Sequence, residues 1–251
     1  METVKFTATK LINSGKQGIL RPDEHGYYIL PIGGLNCFNS AGEYYTLDGA
    51  KQLFEKSSVF MRRVSNGCLK GELGHPKRQQ GQSMDDYVNR ILTIDENNVV
   101  CHYGDIWLDH DFGKNNPKYN NPALVAIMGK VKPSGPKGRF LKESLDNPKE
   151  DVCFSVRALT KDYYHRGVNH RVLQQIVTLD NVVEPGIDHA RKYDSPALES
   201  MSECLVTKKN IKSVIDHTEN SLAVEDSRII AIESLKIFDN TVIKVPTYSK
   251  W

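Results

Sequence analysis

The chain has 251 residues, enough for one domain with or without an appendage and for a sizeable buried core. Apolar residues make up 39% and charged residues 25%, which excludes a disordered chain, and no apolar run approaches the ~20 residues that cross a bilayer. With 33 basic against 31 acidic side chains the net charge is +2, too balanced to make nucleic acid the main partner.

The first ten residues, Met1 to Lys10, lack the apolar stretch of a signal peptide, so a cytosolic protein is expected. The five cysteines (Cys37, Cys68, Cys101, Cys153, Cys204) are odd in number and form no Cys-x-x-Cys pair, as expected for a reducing compartment without a disulfide framework.

Along the chain, Tyr27–Pro31 reads as a strand turned by Gly33-Gly34. Thr46–Lys56 has apolar residues at helical spacing with Thr46 or Asp48 as N-cap, and Val59–Val64 alternates like an edge strand. Ser83–Leu92 opens with a cap residue followed three later by Asp86 and predicts a helix. Val99–Leu108 and Pro122–Val131 predict strands, and Gly138–Leu145 a short helix. The basic run Lys130–Arg139 contains Pro and Gly and reads as a solvated loop. Asp151–Leu159 is β-branched and aromatic, and Arg171–Asp180 reads as a strand paired back onto it. Beyond about Asp194 Ser, Glu and Lys become frequent. The whole predicts a mixed sheet or barrel with helices packed around it.

Three segments are arranged for chemistry. In Gly71-Glu-Leu-Gly-His75-Pro76, glycines and a proline hold an imidazole in a bent, rigid loop, which suits a general base and equally an ordinary surface turn. Ser155, a lone hydroxyl in the apolar run Val152–Ala158, needs a partner, either a backbone carbonyl or a base that makes it a nucleophile. Arg157 falls on the same strand face, as an oxyanion or substrate-binding candidate or as a rim charge. Asp180 closes an apolar strand, as a turn former or as the acceptor that fixes a histidine tautomer, with Glu184 and then Asp188 as alternatives.

Taken together, Gly-Glu-Leu-Gly-His-Pro, Phe-Ser-Val-Arg-Ala and Thr-Leu-Asp-Asn-Val-Val-Glu-Pro-Gly resemble the signature blocks of phage prohead (capsid maturation) serine proteases, over about Cys68 to Ser195. The resemblance implies an α+β fold, a mostly antiparallel β-barrel surrounded by helices like the herpesvirus maturation protease. It implies Ser155 as nucleophile and His75 as general base. In the herpesvirus relative the third member is a histidine soon after the serine, whereas the matching block here holds Asp180. His165 and His170 lie nearer Ser155 in sequence, and His170 sits in a polar, surface-type turn. The implied substrates are scaffold, core and major capsid proteins, cut after glutamate inside the assembling prohead in the host cytoplasm. No cofactor, membrane or specific nucleic acid is implied, and a homo-oligomer is compatible. The layout expected is a protease domain over 1–195 and a segment over 196–251 that is a removable or regulatory extension or simply two more elements. Within that segment Glu199, Glu225 and Glu233 are self-cleavage candidates, and chance tripeptides in a helix-prone stretch are the alternative.

Two other readings compete. His102, Asp105, Asp109, His110 and Asp111 are dense in metal-ligand types, as in a metal-dependent hydrolase, although Asp109–Asp111 also reads as a loop after a strand. The third reading is a non-enzymatic capsid or scaffold protein of the same fold.

Overall fold

A computed structural model describes residues 3–10, 20–192, 200–218 and 229–235. The strands are β1 (Thr3–Lys10), β2 (Tyr28–Leu35), β3 (Cys37–Phe38), β4 (Tyr44–Tyr45), β5 (Lys70–Glu72), β6 (Val99–Asp109), β7 (Val125–Pro133), β8 (Cys153–His165), β9 (Val168–Val182) and β10 (Ser200–Thr207). The helices are α1 (Val59–Ser65), α2 (Met84–Leu92), α3 (Phe112–Asn115), α4 (Gly138–Asp146) and α5 (Lys208–Thr218), with another over 229–235. None of them is long and apolar enough to cross a membrane among the described residues.

The strands form a six-stranded sheet in the order β10-β1-β8-β9-β4-β3 and a four-stranded sheet in the order β2-β7-β6-β5. The α+β class stands, but the expected barrel does not close among the described residues. Among the described residues the backbone link between the two sheets is an isolated parallel bridge, Leu73 to Asn181, rather than a ladder.

The hairpin β8–β9 carries the site. Its turn is Arg166-Gly167, with φ of +49° and +80°, a two-residue loop whose twist matches the flanking strands. Phe154 and Leu179 from the hairpin join Tyr28, Leu30, Tyr103 and Ile127 in the core between the sheets. A second core packs Val88, Ile91 and Leu92 of α2 on Leu159 and Val177, closed by Ile211 and Val214 of α5 and by Ile230 and Ala231. Burying each Val, Leu or Ile among them contributes about 1.5–3 kcal/mol. The boundary expected at 195/196 therefore separates parts that share one sheet and one core.

Three local expectations differ. Val59–Ser65 is a helix rather than a strand: Ser58 Oγ accepts from Met61 N at 3.1 Å, and Phe60, Arg63 and Val64 are buried at helical spacing. Of Thr46–Lys56 only Lys51–Phe54 is helical, as a 3-10 turn, because Thr46 N is held extended by Arg171 O at 3.0 Å. Gly33-Gly34 lies inside β2 instead of turning it. A Cβ on Gly34 would stand 2.2 Å from His189 Nε2, so this glycine serves close packing, and the turn falls at Asn36 (φ +53°).

Candidate active site

The Gly71–Pro76 segment is fixed by its two glycines. A Cβ on Gly71 would lie 2.4 Å from Leu179 O and 2.7 Å from Cys101 Sγ, so only glycine lets β5 approach β9 this closely. Gly74 has φ +76°, and its N–H donates to Asn181 O at 2.6 Å. Tyr87 OH donates to Pro76 O at 3.3 Å, anchoring the far side of the loop to α2. The loop thus hangs His75 beside the end of β9, with 8% of its side chain exposed.

Ser155 and Asp180 are directly opposed across β8 and β9, so both project from the same face. Asp180 is fully buried. Its Oδ2 accepts from His75 Nδ1 at 2.7 Å and from Arg157 Nε at 2.8 Å, and its Oδ1 from Arg157 Nη2 at 2.7 Å and Glu72 N at 3.1 Å. Burial alone would raise the Asp180 carboxyl, but Arg157 and His75 outweigh it and lower its pKa to about 2. An ionised carboxylate only accepts, so the proton of a neutral His75 sits on Nδ1 and the basic lone pair on Nε2. Nε2 is buried and has no hydrogen-bond partner among the described residues. One carboxylate therefore orients the imidazole and stands across the strand pair from the Ser155 hydroxyl. A small cleft lined by Gly33, Asn39, Tyr45, Gly186 and Ile187 among others adjoins Ser155.

Arg157, expected near an oxyanion, turns its guanidinium onto Asp180 instead. Nη1 donates to Thr93 O at 3.0 Å, Nη2 lies 3.0 Å from Glu72 Oε1, and every guanidinium nitrogen is committed in a fully buried setting. Glu72 and Arg90, which sequence reasoning left without a role, complete this cluster, Arg90 gripping the Glu72 carboxylate through both terminal nitrogens. The available signal was Glu72 lying inside the Gly-Glu-Leu-Gly-His-Pro block.

The remaining candidates lie elsewhere. His165 and His170 flank the hairpin turn, His165 ten residues from Ser155, on the order of 30 Å of strand. His170 is half-buried and stacks on Tyr163 at 4.9 Å, so it is not a free surface histidine. Glu184 and Asp188 follow β9, whereas the carboxylate partner of His75 is Asp180. The His102 ring uses Nδ1 with Tyr27 OH and Nε2 with Gly67 O, both at 3.0 Å, while Asp111 pairs with Lys114 in the following turn. Among the described residues no three His, Cys, Asp or Glu side chains gather as a metal site, so the His102–His110 stretch is not assembled as a ligand set. Glu199 and Glu225 lie outside the described residues, and Glu233 is half-buried in the 229–235 helix.

The family described as Peptidase S80 matches residues 6–242. The "Capsid maturation protease" of Pseudomonas phage phiKZ is 36% identical over 201 residues, covering 78% of this chain and 72% of that protein. The solved structure of the bacteriophage T4 capsid assembly protease aligns with 71% of this chain and 98% of its own at 14% identity, with a TM-score of 0.41. Matched over most of its length, the chain belongs to the Peptidase S80 family.

Proposed function

We propose that this peptidase is a serine endopeptidase that cuts scaffold, core and capsid proteins of an assembling phage head after glutamate. Ser155 is the nucleophile, His75 its general base and Asp180 the carboxylate that orients the base. The observation that carries the reading is the shared carboxylate: Asp180 holds His75 Nδ1 at 2.7 Å and opposes Ser155 across the hairpin. The capsid substrates follow from the phage relative it resembles, and the glutamate preference is what the resemblance to phage prohead proteases implies. Two mostly antiparallel sheets with helices outside favour a relation to the herpesvirus maturation protease.

In the reaction, His75 Nε2 takes the Ser155 proton as Oγ attacks the scissile carbonyl. Backbone N–H groups hold the oxyanion, since Arg157 is committed to Asp180. The protonated imidazole gives its proton to the leaving amine, and Asp180 stabilises it meanwhile. Water, deprotonated by the same nitrogen, then releases the acyl enzyme. Hydrogen bonds between base and nucleophile often tighten only when substrate binds, which fits an Nε2 without a partner here.

Mass spectrometry of the enzyme incubated with a homologous scaffold protein tests the specificity. New carboxyl termini are expected at glutamate with a small or aliphatic residue two before it; termini after other residues would remove the glutamate assignment. The same spectra read self-processing, expected as loss of a fragment following Glu199, Glu225 or Glu233. Cutting after Glu199 strips β10 and α5 from a shared sheet and core, so that product is expected to melt early and lose activity. A stable, active chain ending at Glu199 would contradict this.

A further inference from the structure

Behind His75 the charged side chains form a row of alternating sign: Arg90, Glu72, Arg157, Asp180. Glu72 is fully buried at its centre. Its Oε1 accepts from Arg90 Nη1 and Asp95 N, both at 3.0 Å, and lies 3.0 Å from Arg157 Nη2. Its Oε2 accepts from Arg90 Nη2 and from Asn98 Nδ2 at 3.2 Å. Arg157 Nη2 thus lies between two carboxylates, 2.7 Å from Asp180 and 3.0 Å from Glu72.

We infer that Glu72 is a positioning residue for the peptidase reaction: it shares the Arg157 guanidinium with Asp180, so that Asp180 stays in place and keeps enough negative charge to support a protonated His75. This inference rests on the serine protease reading above. The physical argument is a balance of charge in a dry site. A buried Arg157 paired with Asp180 alone would cancel much of the carboxylate's field at the imidazole, because screening by water is absent there. A second carboxylate on the same guanidinium returns that field. Arg90 in turn keeps Glu72 from being an uncompensated buried charge, and its side chain is 27% exposed at the rim. The β5 backbone reinforces the arrangement, because Glu72 N donates to the same Asp180 oxygen that Arg157 Nη2 grips.

The ionisable groups facing this carboxylate are Arg157 from β8, Glu72 from β5, Arg90 from α2, and Cys101 and Tyr103 from β6. Burial raises the last two, Cys101 to about 12, so both stay neutral across the working range. The signs of substitution are therefore fixed. Glu72→Gln removes a negative charge and disfavours the imidazolium, so the His75 midpoint and the acid limb of kcat/KM fall. Arg90→Gln removes a positive charge and raises both. Shifts of about half a pH unit are expected, with kcat down on the order of tenfold and KM nearly unchanged.

The test is an NMR titration of the His75 ring in both variants of the full chain, beside kcat and KM against a glutamate-containing peptide and a Ser155→Ala control. Midpoints moving in opposite directions with a lowered kcat support the inference. Unmoved midpoints with only a lowered melting temperature overturn it, since Glu72 would then be a structural ion. If kcat is unchanged while Ser155→Ala is inactive, this inference alone fails. If Ser155→Ala is active, the serine reading fails and this inference with it. Should Glu72→Gln not fold, the rise expected for Arg90→Gln decides.

Discussion

Ser155→Ala is expected to abolish cleavage of capsid proteins, lowering kcat/KM by at least about a thousandfold while the folding stability stays within about 1 kcal/mol of the parent's. The side chain is small and at the edge of full burial, so the fold loses little with its hydroxyl. The reaction loses its nucleophile. His75→Ala should fall to the same level, and the double variant no further, because a nucleophile and its base act as one unit. A further drop in the double variant would mean that the two residues work independently. Cleavage assays with purified enzyme, read beside thermal melts, separate these outcomes. Retained cleavage in Ser155→Ala would end the nucleophile assignment.

Asp180→Asn is expected to damage activity and stability together. The substitution keeps the shape but replaces a pure acceptor, so His75 is presented with an amide that favours the wrong tautomer; a loss of about ten-thousandfold in kcat is the scale for such a change. It also leaves Arg157 buried with half its compensation gone, which costs about 3–5 kcal/mol. The pH dependence follows from the same contacts. With Arg157 and His75 lowering its pKa to about 2 against burial, Asp180 contributes stability that is fully present above about pH 4 and is lost as pH falls toward 2. That contribution is on the order of 2 kcal/mol, and a melt of the parent between pH 5 and pH 2 should show it. The Asn variant should lack this component. Equal acid sensitivity in both proteins would mean that the carboxylate is not the paired anion described here.

Much of the site was legible because its chemistry is concentrated in short blocks. The Gly-Glu-Leu-Gly-His-Pro block announces a bent loop, and the structure gives the reason for its spacing: Gly71 admits β9 and Gly74 takes a left-handed φ. The pairing of Asp151–Leu159 with Arg171–Asp180 was readable from apolar β-branched content, whereas the turn between them was not. Arg166 occupies a positive φ that sequence reasoning reserves for Asn, Asp or Gly. Val59–Val64 misleads because apolar residues 59, 60, 61 and 64 fit two periods, and the Ser58 cap decides for the helix. Thr46–Lys56 has helical spacing overridden by its tie to Arg171.

The role of Arg157 was beyond local reasoning for a different reason. Strand alternation places it correctly beside Ser155, but which group its guanidinium meets depends on Glu72 and α2, 85 and 65 or more residues earlier in the chain. Glu72 and Arg90 were invisible for the same cause: a buried ion row is a property of three separate elements meeting, and no single stretch of sequence carries its pattern. The C-terminal part was ambiguous in composition. Its polar, helix-prone texture reads as an appendage or as two more elements, and Ile211, Val214, Ile230 and Ala231 complete a core that backs α2, the helix carrying Arg90.

The convergence of Ser155, His75 and Asp180 is tested most directly by a crystal structure of the enzyme after reaction with a glutamyl phosphonate. The account predicts phosphorus bonded to Ser155 Oγ, His75 Nε2 within about 3 Å of that oxygen, and Nδ1 still on Asp180. Phosphorus on another residue, or an imidazole turned away from the adduct, would contradict it.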